Sequence, residues 1–130
     1  MELPVRTTRT RNPRRVRAAR EAMFPAEAHE LLEAIRELLC EPTRAKIARA
    51  LMVSELTVGD LAAVIGRNQS STSQHLRTMR GLGLVRSRRR GRVVYNSLAP
   101  GAITNATSQI LGTVAEIAAQ VKMGNDDSNL

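Results

Sequence analysis

Residues 58–95 read VGDLAAVIGRNQSSTSQHLRTMRGLGLVRSRRRGRVVY, and the order of apolar and polar positions in this stretch decides the fold. Val58, Leu61, Ala62 and Ile65 recur at i, i+3, i+4 and i+7, the spacing of one buried helix face, which predicts a helix over 58–65. Gly66 stops it as a glycine just past the helix end. Asn68 suits the N-cap of a second helix over 69–81, which Gly81 and Gly83 close. Leu84-Val85 opens a strand to about Arg89, Arg90-Gly91 forms a hairpin tip, and a second strand covers about 92–98. Helix, short turn, helix and two-stranded hairpin is the order of a winged helix-turn-helix. In such a unit the second helix enters the major groove of DNA.

Working outward, Pro25 precedes a helix over about 26–39, in which Leu31, Leu32, Ile35, Leu38 and Leu39 recur at helical spacing. Glu41-Pro42 breaks it, and Pro42 suits the first turn of a helix over 42–53, with Ile47, Ala48 and Leu51 as its buried stripe. Glu55-Leu56-Thr57 is a short extended link. After Pro100-Gly101 a last helix covers about 102–122. There Ile103, Ala106, Ile110, Val114, Ile117 and Val121 follow steps of three and four, a heptad-like seam. The expected fold class is therefore mostly α with a small β-hairpin wing. The expected organisation is a basic, largely disordered tail over 1–24, turning helical from about Val16. A DNA-binding and dimerisation domain then spans 25–122, followed by a polar, disordered tail over 123–130.

Charge supports this reading more by its location than by its total. The chain has 130 residues and a net charge of +8. Residues 1–22 hold seven arginines against two glutamates, and residues 67–92 hold eight arginines and no acid. Two concentrated basic blocks point to a polyanion. The second block coincides with the expected DNA-reading unit. On the helix over 69–81, Thr72, Leu76 and Met79 face the core, while Gln69, Ser70, Ser73, Gln74 and Arg77 cluster on the other side. Serines allow close approach to the groove floor. Gln74 can pair bidentately with adenine, and Arg77 can reach guanine or phosphate. The helix N-terminus favours a phosphate. Ser71, His75 and Arg67 complete the expected DNA-facing set on the helix and its turn. Arg88, Arg89, Arg90 and Arg92 on the hairpin supply sequence-independent grip, with Arg86 beside them.

Several classes are excluded by what the chain lacks. No apolar run reaches the roughly 20 residues needed to cross a bilayer. The charged N-terminus has no apolar region of a secretory signal. A single cysteine, Cys40, rules out an internal disulfide and fits a reducing, cytoplasmic setting. Two histidines, no Gly-rich phosphate loop and no nucleophile with a base argue against an enzyme and against a cofactor.

The residues quoted above resemble the ArsR/SmtB family of bacterial repressors over about 27–122. The matching pieces are Glu41-Pro42-Thr43-Arg44, Glu55 to Ala62, Asn68 to Leu76, Gly83-Leu84-Val85 and Arg88 to Tyr95. Each alone is weak; in order and at this spacing they are specific. The resemblance implies a repressor bound to an inverted-repeat operator as a homodimer packed through its first and last helices. The expected seam is Leu31, Ile35, Ile103, Ile110, Val114, Ile117 and Val121. It also implies release by an effector. Where many members carry a metal-binding Cys-x-Cys, this chain has Thr57 and Gly59. On the last helix Glu116 is the one acid, with Asn105 and Gln109 as weak neutral candidates. No metal is expected at those sites, and the effector, if there is one, is a small molecule of unknown identity. Cys40 has two readings, a redox thiol near the dimer seam or a small hydrophobe among leucines. A competing function is a non-specific or architectural nucleic-acid binder driven by the Arg-rich tail and wing.

Overall fold

Four helix starts in the chain are written as capping side chains, and each makes its hydrogen bond in the computed structural model, which describes residues 9–128. Asn12 Oδ1 accepts from the Arg15 N–H at 3.1 Å and opens α1 (Pro13–Glu21). Glu41 accepts from the Thr43 N–H at 3.2 Å and opens α3 (Pro42–Val53). Thr57 Oγ1 accepts from the Asp60 N–H at 3.1 Å and opens α4 (Val58–Ile65). Asn68 Oδ1 accepts from the Ser71 N–H at 2.8 Å and opens α5 (Gln69–Gly81). Each cap satisfies an amide that the helix itself cannot pair. Helix α2 (Ala28–Leu39) precedes α3 without a side-chain cap. Its C-terminal end is instead held from outside, by Arg44 Nη1 donating to the Glu37 carbonyl at 2.8 Å.

Strands β1 (Val85–Arg90) and β2 (Val93–Leu98) form one antiparallel hairpin with Arg90 opposite Val93. The turn is therefore Gly91-Arg92, one residue beyond the expected tip. Gly91 has φ +64, the sign that the first central residue of a type II′ turn needs. Leu56 pairs with Asn96 in an isolated antiparallel bridge, so the α3–α4 link adds a third rung beside the wing. Helix α6 (Ala102–Ser128) ends the described chain.

The core gathers where α2, α3, α4, α5, the wing base and α6 meet. Leu38, Ile47, Leu51, Leu61, Leu76, Met79, Leu84, Val85 and Leu111 form one buried cluster. The elements over 58–81 fall where periodicity puts them, with the same ends. Two terminal regions differ from expectation. Helix α1 begins at Pro13 rather than Val16, because the Asn12 cap and a proline in the first turn together start it there. It has no buried residue. Helix α6 continues through Ser128 rather than ending near Lys122. Gly124 costs a helix interior only about 1 kcal/mol, and it does not take the positive φ of a stop. The expected disorder of residues 1–8 and 129–130 lies outside the described residues. Among the described residues no helix is long and apolar enough to cross a membrane.

Leu61 is fully buried at the centre of this cluster, whereas Val53 is 81% exposed. Leu61→Ala is expected to lower unfolding free energy by about 2–5 kcal/mol. Val53→Ala should change it by less than about 0.5 kcal/mol. Urea denaturation of both variants measures the contrast.

Candidate nucleic-acid interface

Helix α5 is held by one face and free on the other. Thr72, Leu76 and Met79 are buried, and the Thr72 hydroxyl donates to the Asn68 carbonyl at 2.9 Å. Gly66, in the left-handed conformation at φ 68 and ψ 36, turns the chain between α4 and α5. Only a residue without a Cβ takes that conformation at no steric cost. Ser70, Ser73, Gln74 and Arg77 are exposed together on the opposite side of α5, with Arg67 exposed in the turn.

The remaining residues expected at this site sit on its flanks. A Cβ added at Gly59 would lie 3.2 Å from Gln69 Nε2, so the Gln69 side chain leans against the first turn of α4 in space that the glycine leaves. Ser71 and His75 are half-buried on the other flank. There Thr43, through its backbone N–H first and its side chain second, holds the Glu41 carboxyl below the usual carboxylate range; the charges of His75 and Arg44 add to this.

The wing divides its arginines. By strand alternation Arg86, Arg88 and Arg90 share one face with Tyr95, while Ser87 and Arg89 share the other with Asn96. Arg86, Arg88, Arg89 and Arg92 are exposed. Arg90 turns back along the protein. Its guanidinium lies 3.0 Å from Glu55 Oε1 and 5.4 Å from the centre of the Tyr95 ring. Half of that side chain remains in solvent, so the pair adds little stability, but it neutralises one of the hairpin's charges and aims it away from the tip.

A chain of hydrogen bonds that sequence reasoning missed ties α5 to the wing. Arg80 Nη1 donates to Ser87 Oγ at 3.0 Å, Ser87 Oγ donates to Asn96 Oδ1 at 2.9 Å, and Asn96 Nδ2 donates to the Leu56 carbonyl at 3.2 Å. Asn96 is buried. Its signal was legible in part: an amide at the inward phase of a strand, between Val94 and Leu98, needs partners.

Outside α5 and the wing, α1 carries Arg14, Arg15, Arg17 and Arg20 with every arginine exposed. On α6, Val114, Ile117 and Val121 are 55%, 54% and 58% exposed along one face. Leu31, Ile35, Ile103 and Ile110 are half-buried. Cys40 is exposed just past α2, with its Sγ donating to the Glu37 carbonyl at 3.2 Å and Arg44 Nη1 4.0 Å away. Within one protomer it is therefore open to solvent rather than packed among the leucines. The hydroxyl of Thr57 is engaged in capping α4, and Gly59 offers no side chain.

Residues 41–87 match the profile described as bacterial regulatory protein, arsR family. The chain is 35% identical over 96 residues to a transcriptional repressor SmtB homolog from Synechocystis, covering 74% of this chain and 72% of that protein. It is also similar to the crystal structure of NolR from Sinorhizobium fredii. That match has a TM-score of 0.58 at 28% identity and covers 85% of this chain and 96% of NolR. A homodimeric winged helix-turn-helix DNA-binding domain from Mycobacterium bovis shares the fold, with a TM-score of 0.57 at 24% identity over 76% of this chain and 91% of that one.

Asn96→Ala removes the middle of the chain from Arg80 to Leu56 while leaving the backbone bridge intact. The expected outcome is a loss of about 1–3 kcal/mol in stability, with faster amide exchange over 85–98 than over α3. Hydrogen exchange resolved by residue checks both.

Proposed function

Because the chain belongs to the ArsR family of bacterial regulatory proteins, DNA-binding transcription regulators of winged helix-turn-helix fold, we propose that it is a sequence-specific repressor gripping an inverted-repeat operator as a homodimer. The observation that carries this reading is the two-sided α5. Its buried side, Thr72, Leu76 and Met79, commits Ser70, Ser73, Gln74 and Arg77 to solvent, and the sequence around them from 67 to 92 contains no acid. Gln74 and Arg77 read base edges from the N-terminal two-thirds of the helix. Ser70 and Ser73 let the backbone come close. Arg67, Arg88, Arg89 and Arg92 hold the sugar–phosphate rails, and the free-standing basic α1 adds charge that is blind to sequence. Gln69 leans on the first turn of α4, while Ser71 and His75, half-buried, flank the open face.

The second half of the proposal is the dimer. An apolar stripe left half in solvent on a 27-residue helix has a driving force to be covered. Full burial of such a side chain is worth roughly 1.5–3 kcal/mol, so covering the half still in solvent is worth about half of that. Val114, Ile117 and Val121 continue the seam from Ile110, with Leu31 and Ile35 on α2 beside them, whereas Ile103 packs in part on its own protomer's core. Two copies paired this way present two α5 helices to two half-sites. The repressor works in the cytoplasm, and its effector is not a metal held at 57 and 59, where one hydroxyl caps a helix and the other position is glycine.

A second reading, a non-specific nucleic-acid binder, draws on α1, which has no packed face. The two readings separate in one experiment. Gln74→Ala is expected to weaken operator binding by about 1–3 kcal/mol and to relax preference at one base pair per half-site. The triple Arg88→Ala, Arg89→Ala, Arg92→Ala variant should weaken operator and random duplex alike. For every phosphate left unneutralised by these changes, the salt slope should fall by about 0.9. Binding titrations at several salt concentrations measure this; equal behaviour of both variants on both duplexes would favour the non-specific reading. For the seam, Ile117→Glu is expected to convert the dimer to monomer in sedimentation velocity, with a folded far-UV spectrum and no operator binding.

A further inference from the structure

An open groove of about 520 Å³ lies between α3, α4 and α6, on a part of the molecule that neither base reading nor phosphate grip uses. Its walls are apolar: Val53, Val64, Ile65, Leu111, Val114 and Ala118. Val53 and Val64 are 81% and 63% exposed, so the structure leaves this surface uncovered. The polar lining is of one sign. Lys46 and Arg49 stand three residues apart on α3, hence on one face, and no acid lines the groove. Among the described residues neither makes an ion pair. Arg49 Nη1 has only the thioether of Met52, a weak acceptor, at 3.9 Å.

An apolar slot of this size takes a drug-sized organic molecule, and the two cations select its charge. A second basic helix such as α1 is disfavoured here by like-charge repulsion, and a cationic ligand for the same reason. We infer that this groove is an effector site for an organic monocarboxylate, with the apolar body between α4 and α6 and the carboxylate against Lys46 and Arg49. Its regulatory consequence rests on the repressor reading above. Helix α4 packs on α5 and supplies Val64 and Ile65 to the groove, while Val114 belongs to both the groove and the proposed dimer seam. An occupant that wedges α4 from α6 therefore acts on the orientation of α5 relative to its mate, and a ligand can shift binding at a distant site only through such differential interaction.

The test uses the full chain with octanoate as the probe and isothermal titration as the readout. Octanoate is expected to bind, with 1-octanol at least tenfold weaker and octylamine not binding. Lys46→Gln with Arg49→Gln, both on exposed positions, should lose at least tenfold in octanoate affinity with unchanged thermal stability. Val64→Asp should abolish octanoate binding and leave the dimer intact in sedimentation. Saturating octanoate should weaken operator binding by about fivefold or more. No octanoate binding, equal binding of octanol, or full binding by the Lys46/Arg49 variant overturns the site. Dissociation of the dimer by Val64→Asp shows instead that a second copy covers the groove, and also overturns it. Octanoate binding with unaltered operator affinity overturns its regulatory role. Ligand titration needs no DNA, so failure of the repressor reading leaves the octanoate result standing as a separate outcome.

Discussion

The interaction on which the rest depends is the seating of one α5 face in the core. Thr72, Leu76 and Met79 are the anchors, and they fix both the axis and the rotation of the helix. Rotation matters most, because 3.6 residues per turn means that a slip of one position swings the exposed face by about 100°. With those three residues buried, Gln74 and Arg77 have one direction open to them. The cap at Asn68 and the left-handed Gly66 then set where the helix starts. Its first free amides point outward, toward where an anion would lie. Seating, cap and turn together make a rigid edge from residues that are individually ordinary.

The wing is attached to that edge by polar as well as apolar means. Only Val85 of β1 is buried, too little apolar area to hold a hairpin of six-residue strands. The Arg80–Ser87–Asn96–Leu56 chain supplies the rest, joining α5, both strands and the α3–α4 link through one buried amide. Of its members only the Asn96 amide is buried, and a buried amide stabilises only while its partners satisfy it. The network also commits Arg80 to structure, as the Glu55 ion pair commits Arg90. The basic block over 67–92 is thus not uniform. Part of it holds the wing in position, and the rest stays free in solvent, available for the proposed grip on phosphates.

Two apolar surfaces of α6 remain exposed within one protomer. Its outer stripe is the proposed seam between copies. Its inner flank, with α3 and α4, forms the groove with two cations and no acid. Val114 lies on both. Packed interiors respond to a new occupant by moving whole elements rather than deforming smoothly, so a ligand in the groove would be felt along the seam and through α4 at α5. The proposed groove and the proposed seam thus share one helix, away from the open face of α5.

Much of this was legible in the chain as a string. Apolar spacing located α3, α4, α5 and the wing, because periodicity and capping are local and the residues that decide them lie within a turn of one another. The division of α5 into a buried and an open face followed from the same spacing. What the string could not determine was how side chains are used between elements far apart in sequence. Nothing near Arg90 says that it turns to Glu55 and Tyr95, nothing near Gln69 says that Gly59 makes room for it, and nothing near Asn96 names Leu56 as its acceptor. Those choices, like the groove between α3, α4 and α6, exist only once packing brings separate segments within hydrogen-bond or van der Waals reach. Local spacing dictated the buried face of α3, α4 and α5, but tertiary packing decided it on α2, where Leu32 and Leu39 stay exposed, and on α6, where Thr104, Thr107 and Leu111 are buried instead of the heptad-like stripe.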